Sequence, residues 1–99
     1  MYRYTTPTLL FNLPIETSTL EECYVTIKQN EGVLIEKQLA EMTAEDKTLK
    51  ITLTQEETAL LKANEYMYVQ LRCKDANANA YASKIFKIAT EQVLKEGVI

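Results

Sequence analysis

Two stretches of strict period-two alternation, joined by a helix-capping signal, constrain this chain more than any other feature. In Thr48–Leu53, Leu49, Ile51 and Leu53 point one way while Thr48, Lys50 and Thr52 point the other, as in a strand with one buried face. In Tyr66–Lys74, Met67, Val69, Leu71 and Cys73 share one face; Tyr66, Tyr68, Gln70, Arg72 and Lys74 share the opposite one. Between the two runs, Thr54 stands three residues before Glu57, the spacing of a capping box. Ala59, Leu60 and Leu61 then supply a short apolar stripe. Strand, helical turn and strand reads as a crossover at the end of a β-sandwich.

The remaining segments fit around this unit. In Thr8–Leu13, Leu9, Phe11 and Leu13 form one face, and Pro14 ends the run, so an edge strand is expected there. A polar loop, Pro14–Leu20, leads to Glu22–Gln29, with Cys23, Val25 and Ile27 inward and Tyr24, Thr26 and Lys28 outward. Asn30-Glu31-Gly32 is a hairpin turn signal, with Gly32 free to take positive φ. The partner strand, Val33–Leu39, places Val33, Ile35 and Leu39 on one side. Ala40–Lys47 reads as a polar, acidic link.

After Lys74, Asp75-Ala76-Asn77-Ala78-Asn79 is a turn of residues that tolerate the left-handed region. The last strand, Ala80–Ala89, has no single phase: Ala82, Phe86 and Ile88 share one face, with Tyr81 and Ile85 on the other. A bulge or burial on both faces accounts for that. Thr90 is placed to cap a short terminal helix over Glu91–Glu96, with Gly97 just past its end. Six or seven short strands with turn signals every eight to twelve residues predict an all-β antiparallel two-sheet sandwich, one domain over residues 1–99.

Composition narrows the function. Of 99 residues, 46% are hydrophobic and 25% charged, the balance of a folded globular chain. A net charge of −3 without a basic stripe argues against a nucleic-acid partner, and no apolar run reaches membrane-span length. The start, MetTyrArgTyrThrThrPro, lacks the apolar core of a signal peptide, so synthesis in the cytoplasm is expected. Residues 1–61 carry five Lys/Arg against ten Asp/Glu, and residues 62–99 carry six against four. That polarity suits head-to-tail packing of identical subunits, and a solvated surface explains it equally.

No catalytic constellation stands out. With no His, the commonest general base and metal ligand is missing. Glu21-Glu22 and Glu56-Glu57 are adjacent, and on a strand adjacent side chains diverge. Ser83-Lys84 diverges in the same way, and two glycines do not make a phosphate loop. No cofactor is indicated, and an enzyme is not expected. Cys23 and Cys73 read as two buried thiols in a reducing compartment, with a disulfide geometrically open to them if their strands are neighbours or face each other.

Two surfaces are candidates for contact with other proteins. One is the strip Tyr66, Tyr68, Gln70, Arg72 and Lys74, since Tyr and Arg are enriched at interface hot spots; a half-wet sheet face carrying strand-favouring tyrosines explains it as well. The other is the tail, where Leu94, Val98 and Ile99 either fold onto their own core or dock on a neighbouring subunit.

The whole pattern resembles a family of small prophage-encoded proteins of Gram-positive bacteria. The resemblance rests on Tyr4–Leu9 (YTTPTL), Tyr24–Gln29 (YVTIKQ), Leu53–Thr58 (LTQEET), Val69–Arg72 (VQLR), Ala80–Lys84 (AYASK) and Val93–Ile99 (VLKEGVI). The chain is also similar to the immunoglobulin-like N-terminal module of phage baseplate upper proteins. The resemblance implies an immunoglobulin-like sandwich in a virion structural or assembly component, of the tail or baseplate. Its partners would be other phage structural proteins or further copies of itself. Antibody-type domains differ in carrying a core Trp, absent here, and a Tyr two residues before the second Cys, where this chain has Leu71. The antibody disulfide therefore does not follow. A different class of function, a small glycan- or surface-binding module, would use Tyr66 and Tyr68 as a stacking platform.

Overall fold

The structure, a computed structural model, describes every residue except Glu31, with the side chains of Val33 and Leu34 also outside the description. The expected turn position Glu31 and inward position Val33 therefore lie outside the described residues. The strands among the described residues are β1 (Thr8–Asn12), β2 (Leu20–Gln29), β3 (Gly32–Gln38), β4 (Thr43–Glu45), β5 (Thr48–Thr52), β6 (Tyr66–Asp75), β7 (Ala80–Ala82) and β8 (Phe86–Ala89). With them are one α-helix, α1 (Gln55–Ala59), and single 3-10 turns at Thr17–Thr19 and Leu39–Glu41, the latter taking Leu39 out of the expected strand. They form two antiparallel sheets. One has the order β1-β5-β4; the other runs β3-β2-β6, with β7 and β8 sharing the far edge of β6.

In immunoglobulin lettering, β1 to β6 are B, C, C′, D, E and F, and β7 with β8 is a divided G. The sheets are then B-E-D and C′-C-F-G, an immunoglobulin-like key. A lone parallel bridge, Tyr2 to Glu91, stands where a leading strand touches G. The alternations decide which face is covered. Val25 and Ile27 of β2 and Met67, Val69 and Leu71 of β6 meet Phe11, Leu49 and Ile51 of the smaller sheet in one continuous core.

The crossover forms as its spacing dictates. Thr54 Oγ1 accepts from Glu57 N–H at 3.1 Å, and Glu57 Oε1 accepts from Thr54 N–H at 2.9 Å. The helix stops after five residues, so of the apolar stripe Leu61 enters the core while Leu60 stays exposed. Buried Thr58 pins the N-terminal segment, accepting from Thr5 N–H at 3.0 Å and donating to Thr5 O at 2.9 Å.

The structure departs from expectation in four places. The helix over Glu91–Glu96 does not form, because the backbone that would nucleate it is engaged elsewhere. The carbonyls that would accept the first helical bonds are taken: Thr90 O accepts from Asn64 N–H and Glu91 O from Arg3 N–H. The acidic link contains β4, paired with β5 from Thr43↔Lys50 to Glu45↔Thr48. The last strand is divided by a one-residue bulge: Arg72 pairs Ala82, but three positions back Val69 pairs Phe86, four positions on. The bulge corrects the expected phase, since Tyr81, opposite Cys73, shares the inner face with Phe86 and Ile88, while Ala82 faces out. In the Asp75–Asn79 turn, the left-handed residue is Ala78 (φ 64°), not an asparagine.

Candidate functional site

The outer face of the larger sheet carries the expected strip. Strict alternation along β6 holds Tyr66, Tyr68 and Arg72 exposed, with Gln70 and Lys74 half-buried. The strip does not stand alone. On β2, Tyr24 sits opposite Arg72 and Lys28 opposite Tyr68, and Tyr24 is itself exposed, so the aromatic and cationic surface spans two central strands. On the other side, Lys87 pairs Tyr68, and its Nζ lies 4.1 Å from the Tyr66 ring centroid. That cation covers one face of the Tyr66 ring, so a stacking platform on Tyr66 would have to displace it. Gln70 serves the fold: its Nε2 donates to Ser83 O at 3.0 Å, and Leu71 N–H donates to Ser83 Oγ at 3.0 Å. Ser83 thereby closes the ladder across the bulge. Lys74 approaches Glu22 at 3.9 Å, a surface pair of small worth.

The tail residues are placed apart from this face. Ile99 exchanges two 2.9 Å hydrogen bonds with the Gln55 side chain at the start of α1, and Glu96 lies 3.5 Å from Arg3. Leu94 is fully exposed, and Val98 and Ile99 largely so. The tail therefore neither enters the core nor touches the tyrosine strip. Arg3, which the sequence does not single out, gathers these ends. Its Nη2 donates to Ala59 O at 3.0 Å, at the helix C-terminus where positive charge is favoured, and its Nη1 to Gln92 Oε1 at 3.1 Å.

A third surface appears only in the structure. β1 and β8 are neighbouring edges of the two sheets, joined inside by Phe11 and Phe86, whose rings meet edge to face at 6.3 Å. Outside this contact a groove of about 430 Å³ runs between them, floored by Leu9, Phe11, Val69 and Phe86. Leu10 (59% exposed) and Ile85 (61%) stand at its margins. The sequence shows these residues as ordinary strand positions; that two edges leave a gap is a matter of sheet pairing.

The two thiols are cross-strand partners, Cys23↔Cys73, with sulfurs 2.9 Å apart. Burial, then the hydrogen bond with Cys73, pushes the Cys23 thiol from its ordinary 9.0 up to about 12; burial raises Cys73 also. Neither is a ready nucleophile. Asp75 is saturated: it accepts from Asn77 and Asn79 N–H at 2.9 Å, Asn79 Nδ2 at 3.1 Å and Tyr81 OH at 3.2 Å. The Asn79 N–H first, against the push of burial, then the other donors, hold its carboxyl below the usual value. Every acceptor site is spent on the turn, which makes Asp75 a structural carboxylate.

Among the described residues, no cluster of three or more His, Cys, Asp or Glu side chains is arranged to hold a metal ion, and no helix is long and apolar enough to cross a membrane. No family model, curated protein or solved structure matches the chain.

Proposed function

We propose that this chain is a non-enzymatic structural or assembly component of a phage particle, working through protein–protein contacts made by a rigid immunoglobulin-like sandwich. One observation carries the reading most. Three of the exposed aromatic side chains, Tyr24, Tyr66 and Tyr68, share one sheet face with Arg72, the residue types that anchor interfaces. The strand pairing beneath makes that face preorganised, so docking costs little ordering entropy. The resemblance to prophage-encoded and baseplate proteins supports the particular setting, with synthesis in the bacterial cytoplasm and later incorporation in the virion.

The test is quantitative mass spectrometry of particles purified after prophage induction, wild type beside Tyr24→Ala/Tyr68→Ala. The chain at stoichiometric level in wild-type particles and depleted in the variant is the expected result. Its absence from both particles and assembly intermediates contradicts the proposal.

A further inference from the structure

The exposed large apolar residues fall mainly into three groups: the tyrosine face, the β1/β8 groove (Leu10 and Ile85 at its margins, Phe86 in its floor) and the tail (Leu94, Val98, Ile99). The last two complement each other. We infer that the groove between β1 and β8 accepts the tail of a second copy as an added strand, giving head-to-tail association; this rests on the assembly reading above and specifies a partner within it.

The groove offers a strand edge. Leu53 N–H donates to Pro7 O and Leu13 N–H to Lys47 O, so the odd-numbered residues of β1 turn their backbone groups to β5. Thr8, Leu10 and Asn12 turn theirs outward, away from the sheet. The edge residues Thr8–Asn12 carry no charge and none of the lysines or prolines that usually blunt such an edge. An incoming extended segment finds donors and acceptors at alternate residues and an apolar floor beneath, the arrangement of β-augmentation.

The rim selects the occupant. Lys84 and Lys87 border the groove, and among the described residues neither has a carboxylate within salt-bridge distance. Each lies over an aromatic ring instead, Lys84 Nζ at 5.2 Å from Phe86 and Lys87 Nζ at 4.1 Å from Tyr66. Two copies placed edge to edge about β1 would bring four lysines together, which disfavours symmetric pairing. The tail carries one carboxylate, Glu96, and one ammonium, Lys95, among apolar residues. Leu94 is 108% exposed and Ile99 91%; drawn out from its present bends, the segment would put Leu94, Glu96 and Val98 on one face. Six residues reach roughly 20 Å, enough to run the length of β1. The tail belongs to no strand or helix, and exposed contacts to Gln55 and Arg3 hold it, so its release costs little.

The experiment is light scattering coupled to size-exclusion chromatography over a concentration series. The samples are the full chain, a chain ending at Val93, Leu10→Pro and Leu10→Lys. Proline at position 10 removes an N–H that β5 does not use; lysine leaves the backbone intact and puts a solvated charge on the apolar margin, the residue type that blunts a strand edge. Thermal unfolding of each confirms the fold. The full chain is expected to gain mass with concentration, and each variant to stay monomeric. A mixture of the Val93-ended chain with either Leu10 variant is expected to form a one-to-one dimer and nothing larger, since one supplies only a groove and the other only a tail. A full chain that is monomeric throughout, association untouched by the variants, or a mixture that stays separate overturns the inference. Each of those outcomes leaves particle incorporation, the test of the assembly reading, to be read independently.

Discussion

Cys23 and Cys73 face each other across β2 and β6 with their sulfurs 2.9 Å apart, joined as thiols by a hydrogen bond. The pairing places them where side chains approach most closely. Asp75 N–H donates to Asn79 O and Ser83 N–H to Leu71 O, so the odd residues of β6 turn their backbone to the β7 edge. Toward β2, Cys73 is thus in a non-hydrogen-bonded pair. The unfolded chain releases these protons near 9.0, whereas folded Cys23 holds its proton up to about 12. The contribution is therefore complete below pH 9 and lost as pH rises toward 12. Thermal melts across that window should show an alkaline decline that is smaller in Cys23→Ala. An identical decline in the variant assigns it to other groups.

The phase of β6 sets both core and outer face. Leu71→Ala should cost about 2–5 kcal/mol, since Leu71 is buried between the sheets. Gln70→Ala loses one half-buried hydrogen bond to Ser83 O and should cost about 0.5–1.5 kcal/mol. Urea unfolding of the two variants checks the ordering, which a reversed strand phase would invert.

Ala78 occupies the left-handed region at φ 64°, where a side chain costs about 1–2 kcal/mol and glycine is at ease. Allowing for the freedom glycine adds to the unfolded chain, Ala78→Gly should stabilise by roughly 0.5–1 kcal/mol. A higher denaturation midpoint at unchanged slope is the expected reading; a lower midpoint means that the turn relies on the Ala78 methyl.

Asp75 sets the acid side. Its folded carboxyl is held low by the turn, so the unfolded chain takes up the proton first as pH falls. Stability present above the ordinary aspartate value is lost below it. Asp75→Asn should be less stable than wild type at neutral pH, and the difference should shrink on acidification. Glu57 titrates in the same direction: burial works to raise it, but the Lys37 ammonium, 2.6 Å away, and Thr54 N–H outweigh that. The wild-type minus variant difference isolates Asp75. A gap that stays constant with pH would contradict its role.

What could be read beforehand was what sequence-local physics decides. Leu49, Ile51 and Leu53 announce their buried face, and Thr54 with Glu57 announce the cap, because partner and signal lie within a few residues. Arg3, Gln29 and Thr58 gave no such notice. Gln29 donates to Lys62 O and Thr90 Oγ1 and accepts from Lys62 N–H, contacts 33 and 61 positions away that no periodicity encodes. The terminal helix failed for the same reason: Thr90 and Glu91 are competent to start one, and distant Asn64 and Arg3 claim the carbonyls its first turn would use. Of the candidate surfaces, the alternation revealed Tyr66 and Tyr68 and Pro14 marked β1 as an edge, while the groove waited on knowing that β8 is the edge of the other sheet beside it.

The most direct test of the account is crosslinking mass spectrometry on purified particles with an amine-reactive reagent. Lys28 and Lys87 flank Tyr68 on either side of β6, so contact through this face should yield crosslinks from both to a second structural protein. Those links should fall away in Tyr24→Ala/Tyr68→Ala. Particles that contain the chain but link it only through lysines remote from this face would contradict the assignment of the interface, and particles without the chain would contradict the function.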